Sequence, residues 1–306
     1  MTTVLLYWNH ICVLHKAEKQ YLERLTKKLY EEGIELQVRY FGLGYPEHMS
    51  EYLARPDTEL PDIIVSADLE VFEDSRIYDK FSHALYPATD WIALRQSPAL
   101  DAVWREERLL PFLSIPLVYY TREPEACATA LDDWDGLAFG GINNSAAKTV
   151  VKAVWSRWGR EAAGGLLAKS MITDMPIGAF QAVRTGSSQT ALVPSIYALR
   201  ADGKNTFLRI PKEGPVLIPS YVCARSSIPE TVARRVVEGI MGRELCRFYS
   251  QQGDLILYPQ CVEEQSRQVC DRYLVPTEQW FRSVSPEEFY ELYCGHISSA
   301  VHVTAG

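Results

Sequence analysis

The stretch Pro111-Phe112-Leu113-Ser114-Ile115-Pro116-Leu117-Val118-Tyr119-Tyr120-Thr121-Arg122 most narrows what this chain can fold into. Its two prolines lack an N–H and hold the residue before each in extended backbone, which argues against a helix. The β-branched and aromatic residues from Ile115 to Thr121 favour a strand. Alternating strand and helix signals precede this stretch, and a second such set follows it. A similar proline-punctuated strand recurs at Gly214-Pro215-Val216-Leu217-Ile218-Pro219-Ser220-Tyr221-Val222. We read the pair as two crossings between two lobes, so the chain is expected to leave lobe one, build lobe two and return. The expected division is 1–117 with 223–306 for lobe one and 118–222 for lobe two, with hinge strands near 114–122 and 214–222.

The patterns on either side fit an α/β fold. Val4-Leu5-Leu6-Tyr7-Trp8 is a short apolar run of the kind found in a buried parallel strand. Asn9-His10-Ile11-Cys12 leads into a helix whose apolar face is Leu14, Ala17, Tyr21, Leu22, Leu25 and Leu29, closed by Gly33. Residues Ile34 to Phe41 alternate strictly, which completes a β-α-β unit with a parallel pair. Met49 to Ala54 reads as a short helix and Pro61 to Asp68 as a buried strand with a polar end. In the second lobe, Leu137 to Ile142 and Thr190 to Pro194 read as strands, and helices run from Ala146 to about Trp158 and from Pro176 to Gly186. Beyond the second crossing, Pro229-Glu230-Thr231 opens a helix with Val232, Val236, Ile240 and Met241 on its buried face. From Glu263 onward the pattern is helical and polar, anchored by Trp280, Phe281, Phe289, Tyr290 and Tyr293, and the tail from Ser298 to Gly306 is expected to fray. Each lobe is thus expected to hold a mostly parallel central sheet flanked by helices, with the two crossing strands joining them.

With 306 residues the chain has enough length for two domains, each with its own core. A net charge of −8 and a pI near 5.4, with no basic run, argue against nucleic acid or an anionic membrane surface as partner. No apolar run reaches membrane-spanning length, so direct membrane insertion is not expected. The chain enters a strand directly after Met1-Thr2-Thr3 with no visible leader. That fits a cytoplasmic protein whose native start is Met1, or an exported one whose signal has been removed. Seven cysteines with no C-x-x-C pair read as mostly reduced, buried small hydrophobes, and no cofactor is expected.

Several local features resemble the type-2 periplasmic substrate-binding protein family, the solute receptors of ABC transporters. Pro61-Asp62-Ile63-Ile64-Val65-Ser66-Ala67-Asp68 is similar to that family's first-lobe strand end. Pro116-Leu117-Val118-Tyr119-Tyr120 is similar to its first interlobe strand, and Leu131-Asp132-Asp133-Trp134-Asp135-Gly136-Leu137 to the turn opening lobe two. Residues Gly178 to Gly186, Lys212-Glu213-Gly214-Pro215-Val216 and Ser227-Ile228-Pro229-Glu230-Thr231-Val232-Ala233 resemble later landmarks in the same order. The resemblance covers roughly Met1 to Gln252 and implies a two-lobe receptor that closes on a small molecule or ion. The implied partners are that ligand and an ABC-transporter permease, or a sensor protein in a signalling variant.

In open parallel sheets ligands bind beyond the carboxyl ends of strands, where helix starts present free N–H groups. That rule nominates Asn9, His10 and Cys12 after the first strand and Ser66 and Asp68 after the third. In the second lobe it nominates Asn143, Asn144 and Ser145, then Gly178 and Ala179, then Ser195 and Tyr197. Tyr119, Tyr120 and Tyr221 lie on the crossings, where they either pack the hinge or stack on a ligand. Asn143-Asn144-Ser145 reads first as a helix N-cap, with an anion cradle as the alternative, and Asp68 equally as a turn former or a ligand contact. The resemblance places Tyr197 where iron-binding members carry a Tyr-Tyr pair; this chain has Ile196-Tyr197. His10, Cys12 and His15 form the one cluster with catalytic or metal-binding potential, because a thiol at a helix start is acidified and a histidine can act as its base. The alternative to a receptor is therefore a cytoplasmic enzyme on the same fold, using Cys12 with His10 or His15.

Overall fold

In a computed structural model the described residues are 1–42, 44–261 and 270–301; the side chains of Cys12 and of residues 297–301 lie outside them. The chain divides into two compact units, Met1–Ser114 with Pro219–Arg267 and Ile115–Ile218 with Gln268–Gly306. Two of the passages between units fall inside the proline-punctuated strands, β4 (Leu110–Thr121) and β9 (Val216–Ala224).

The first unit is built on β1 (Thr2–Asn9), β2 (Ile34–Phe41) and β3 (Ile63–Ser66). β1 lies between the other two, parallel to both, and β9 adds antiparallel to β3 in the order β2-β1-β3-β9. A strand flanked on both edges and covered on both faces needs a continuous apolar run, and Val4, Leu6, Tyr7 and Trp8 are all at most 1% exposed. The crossover helix α1 (His15–Glu31) buries Tyr21, Leu22, Leu25 and Leu29, each leucine contributing about 1.5–3 kcal/mol of burial. Gly33, at φ 83°, turns the chain from α1 into β2 in a backbone region few other residues adopt.

Asp62, the acidic residue of the Pro-Asp strand entry, is consumed by this architecture. Its carboxylate accepts from the Leu5 N–H at 2.8 Å and the Ser227 hydroxyl at 2.6 Å. Its backbone carbonyl accepts from the Arg225 N–H at 2.8 Å. Beyond β9 the helix Glu230–Ile240 returns to α1: the Tyr21 hydroxyl donates to the Gly239 carbonyl at 2.5 Å, and Arg235 grips both oxygens of Glu32 at 2.6 Å. Its buried face is Ala233, Val236, Val237, Ile240 and Met241 rather than the expected set with Val232, which is half-buried. The helix Arg243–Gly253 and β10 (Ile256–Leu257) complete the unit, β10 pairing antiparallel with Leu113 and Ser114 of β4.

The second unit holds β5 (Ala138–Gly140), β6 (Met171–Thr173), β7 (Thr190–Pro194) and β8 (Phe207–Arg209). β5 is parallel to β6 on one side and β7 on the other. The second half of β4 runs antiparallel to β7 and to β8. Its core gathers Val118 and Tyr120 of β4, Ala138, Ala191 and Val193 of the sheet, and Ala179, Phe180 and Val183 of the helix Pro176–Thr185. Each unit is thus a mostly parallel α/β sheet that receives one antiparallel crossing strand, as expected.

The C-terminal segment departs from the expected division, which assigned all of 223–306 to the first lobe. Residues 219–261 do cluster with the first unit, but 270–301 cluster with the second. The aromatic anchors supply the physical reason. Trp280 meets Trp155 edge-on at 6.0 Å, Phe289 packs on Trp280 at 6.1 Å, and the Tyr293 hydroxyl donates to the Ile142 carbonyl at 2.7 Å. Arg160 adds ion pairs to Glu288 and Glu291 at 3.2 and 3.3 Å. The expected polar helix from Glu263 falls in part on residues 262–269, outside the described residues, as do 302–306 of the tail. No helix among the described residues is long and apolar enough to cross a membrane.

Trp280 is 7% exposed and joins the C-terminal helices to the helix Ser145–Trp158. Its replacement by alanine is expected to cost about 3–5 kcal/mol, read as a lower urea midpoint. An unchanged midpoint would contradict the packing described.

Candidate functional site

The nominated residues lie in two groups, one in each unit. In the first unit, β1 ends at Asn9 and the next residue, His10, donates its backbone N–H to the Phe41 carbonyl at the end of β2, at 2.9 Å. A turn from Ile11 to Leu14 then leads into α1. This places Glu18, in the first turns of α1, directly under His10. Glu18 has no exposure to solvent. One of its oxygens lies 2.6 Å from His10 Nδ1, and the other accepts the Tyr249 hydroxyl at 2.8 Å; the Ile11 N–H approaches both, at 3.2 and 3.3 Å. Burial, reinforced by Glu18, pushes the Tyr249 phenol well above its ordinary range, so it stays protonated and donates.

Donors converge on Glu18 from the Ile11 N–H and the Tyr249 hydroxyl, so its 2.6 Å contact to His10 is assigned with the imidazole proton on Nδ1. The far ring nitrogen, Nε2, is buried and has no hydrogen-bond partner among the described residues. The ring is further fixed by stacking: Tyr40 lies 4.8 Å away at 11° and Tyr45 5.7 Å away at 20°. Burial raises the Tyr40 phenol to about 12, so it adds no charge near neutral pH. His15 meets the His10 ring edge-on at 6.2 Å. A histidine with one nitrogen tied to a buried carboxylate and the other without a partner is oriented to accept one more hydrogen bond or to coordinate an electrophile. The side chain of Cys12 lies outside those described, so its part in this cluster is not assigned.

Ser66 ends β3, Asp68 lies just beyond it, and both are buried. The Asp68 N–H donates to Ser66 Oγ at 2.9 Å, and the Asp68 carboxylate accepts from the Ser50 N–H at 2.9 Å. Ser50 lies in the first turn of α2 (Met49–Ala54), so Asp68 anchors that helix start, where a negative charge is favoured. Tyr221 is fully buried and donates to the Val103 carbonyl at 2.6 Å, edge-on to Phe72 at 5.5 Å. Those contacts place it in the core of the first unit.

In the second unit, β5 ends at Gly140 and Gly141 follows it. A Cβ at Gly140 would overlap the Met175 carbonyl, and one at Gly141, whose φ is 91°, would overlap the Asn144 side chain. Only glycine lets the loop after β6 lie against this strand end. Asn144 caps the helix Ser145–Trp158, its side-chain oxygen accepting from the Ala146 N–H at 2.9 Å. Asn143 is exposed beside it, and Ser145 is buried. Gly178 lies in the first turn of the helix Pro176–Thr185, where a Cβ would stand 3.0 Å from Thr173. Ala179, Tyr120 and Tyr197 belong to the unit's apolar core, with Tyr120 and Tyr197 against Phe180 at 4.6 and 5.9 Å. Ser195, fully buried, opens the short helix after β7. Tyr119 packs edge-on against Trp134 at 5.3 Å, and burial raises its phenol.

The sequence reading missed Glu18 and Tyr249, yet each leaves a signal. Glu18 falls four residues after Leu14 and three before Tyr21, squarely in the apolar stripe of α1, and a charged residue there must find partners inside. Tyr249 follows Leu245 by four on the buried face of its own helix. Tyr249→Phe keeps the ring and removes one donor from a buried carboxylate, so the expected cost is about 1–3 kcal/mol by urea denaturation. Glu18→Ala, which leaves His10 Nδ1, the Ile11 N–H and the Tyr249 hydroxyl without their shared partner, is expected to cost more. Equal or smaller loss for Glu18→Ala would contradict the network.

Comparison with known proteins finds no matching family model and no matching curated protein. Solved structures do match along the whole chain. The iron-bound HitA of Pseudomonas aeruginosa is 17% identical, with a TM-score of 0.63 over 97% of this chain and 98% of that one. A periplasmic thiamin-binding protein is 13% identical, with a TM-score of 0.63 over 96% of each chain. The periplasmic binding protein AfuA from Actinobacillus pleuropneumoniae, with fructose 6-phosphate bound, is 12% identical, with a TM-score of 0.59 over 97% and 98%. At such identities the likeness is one of architecture, and the fold of this chain is that of the periplasmic binding proteins.

Proposed function

We propose that this chain is a solute-binding protein whose two units close around a small ligand, an anion, a carboxylate-bearing solute or a metal chelate, for transport or sensing. The observation that carries the reading is His10: a buried imidazole at the carboxyl end of a central parallel strand, tied at Nδ1 to Glu18 and without a partner at Nε2 among the described residues. A group held this way loses little freedom when it engages a ligand, which is how preorganisation improves affinity. Asn9 and Ser66 stand at neighbouring strand ends of the same unit. The second unit would contribute Asn143, the N–H groups at the starts of the helices after β5 and β6, and the Ser195 hydroxyl. Those helix starts suit an anionic group. The neighbours' ligands, iron, thiamin and a sugar phosphate, are of the small-molecule or ion class that this reading assigns here. A ligand touching both units would favour the closed population by its differential affinity alone. Delivery would be to an ABC-transporter permease or a sensor protein.

A thermal-shift screen with inorganic phosphate, citrate, ferric citrate and thiamin tests this. At a hundredfold excess over Kd, a bound probe is expected to add about 2.7 kcal/mol of apparent stability. His10→Ala should abolish that shift while its circular dichroism stays that of the parent. A probe that stabilises His10→Ala as strongly as the parent chain would remove His10 from the site. Turnover of any probe that is lost in Cys12→Ser would contradict the receptor reading.

A further inference from the structure

Cys246 and Cys261 share a backbone hydrogen-bond acceptor. Cys246 is fully buried on the helix Arg243–Gly253, and Cys261 is half-buried a few residues beyond β10. Both sulfur atoms lie on the same acceptor, the Met241 carbonyl oxygen, at 3.4 and 3.6 Å. A carbonyl has two lone pairs and can accept both thiols, so the shared acceptor brings the two sulfur atoms to one backbone atom. The side chains thus come from two ends of a helix–strand hairpin and meet over one backbone atom.

We propose that Cys246 and Cys261 form a reversible intramolecular disulfide that closes this hairpin in the first unit. Their chemistry divides the labour. Contact with the Cys246 thiol, helped by Arg243, draws Cys261 down to about 7, so the accessible partner is the one with thiolate character near neutral pH. The same contact and burial push Cys246 up, which keeps it protonated until its partner has reacted. The oxidant is a small-molecule disulfide such as glutathione disulfide. The Cys261 thiolate attacks one of its sulfur atoms, a mixed disulfide forms, and one glutathione thiolate leaves. Cys246 then gives up its proton and attacks the Cys261 sulfur, and the second glutathione leaves. Two protein thiols are oxidised, one glutathione disulfide is reduced to two thiols, and no other reactant is needed.

The bond would brace more than a loop. Cys246 lies three residues before Tyr249 on the same helix, and Tyr249 holds Glu18 under His10. Cross-linking that helix to the segment after β10 restricts the unfolded chain and stabilises the folded unit. The proposal stands without any assumption about the ligand.

The full-length chain, equilibrated in a glutathione redox buffer, blocked with N-ethylmaleimide, unfolded and digested without reduction, gives the test by peptide mass mapping. The expected result is a peptide pair joined through Cys246 and Cys261, a loss of two of the seven thiols of the sequence, and their return with dithiothreitol. The oxidised chain should also melt at a higher temperature than the reduced one. Cys246→Ser should trap glutathione on Cys261, and Cys261→Ser should leave Cys246 unmodified in the folded protein. Should either variant fail to fold, the map of the unaltered chain decides alone. Cys261 found only as a glutathione adduct, joined to a different cysteine, or still fully reduced under oxidising conditions would each overturn the proposal.

Discussion

A carboxylate removed from water has to be surrounded by donors, or its burial costs more than the fold can supply. Glu18 meets that demand with a backbone N–H, a histidine and a tyrosine drawn from three parts of the first unit: the turn after β1, the imidazole at its end and the helix Arg243–Gly253. Each donor is therefore positioned by the same charge. The turn after β1 takes its shape, the helix Arg243–Gly253 is seated, and His10 is left with one nitrogen committed and one without a partner among the described residues. A neutral side chain at position 18 would pack the same stripe of α1 but would impose none of these relations.

The other constraint is the passage of the chain between units. β4 and β9 are long, almost wholly buried strands, and their prolines fit strands that end one unit and begin the other. Asp62 shows how the return is secured, since its single side chain joins β1 to the segment just after β9. On the opposite side of the division, the aromatic residues Trp280, Phe289 and Tyr293 seat the C-terminal helices on the second unit. Polar contacts thus fix the register of the first unit, and aromatic packing gathers the second.

Much of the α/β pattern was legible from the residues. Strict alternation delimited β2 at Ile34 and Phe41, and the apolar run at Val4 marked the central strand, because burial on two faces leaves such a trace. The destination of the C-terminal helices was not legible. An aromatic side chain declares that it will be buried, and nothing in its spacing names the surface that buries it. Glu18 is the mirror case: its position in an apolar stripe was visible, while its partner Tyr249 lies 231 residues away and no local periodicity joins them. Among the nominated site residues the same limit applies. Asn144 and Asp68 prove to be committed to helix starts, and Tyr120, Tyr197 and Tyr221 to cores, because cap and core roles use the residue types that ligand contacts use.

What distinguishes His10 from those neighbours is that its structural bond uses only half of its chemistry. The account rests on the proton that Glu18 holds at Nδ1, leaving Nε2 as the nitrogen offered to a ligand. Long-range 1H–15N correlation spectra of the labelled chain read that assignment directly. A proton on His10 Nδ1, shared with Glu18, is the expected result. A His10 ring protonated at Nε2 alone, with a bare Nδ1 facing Glu18, would contradict it.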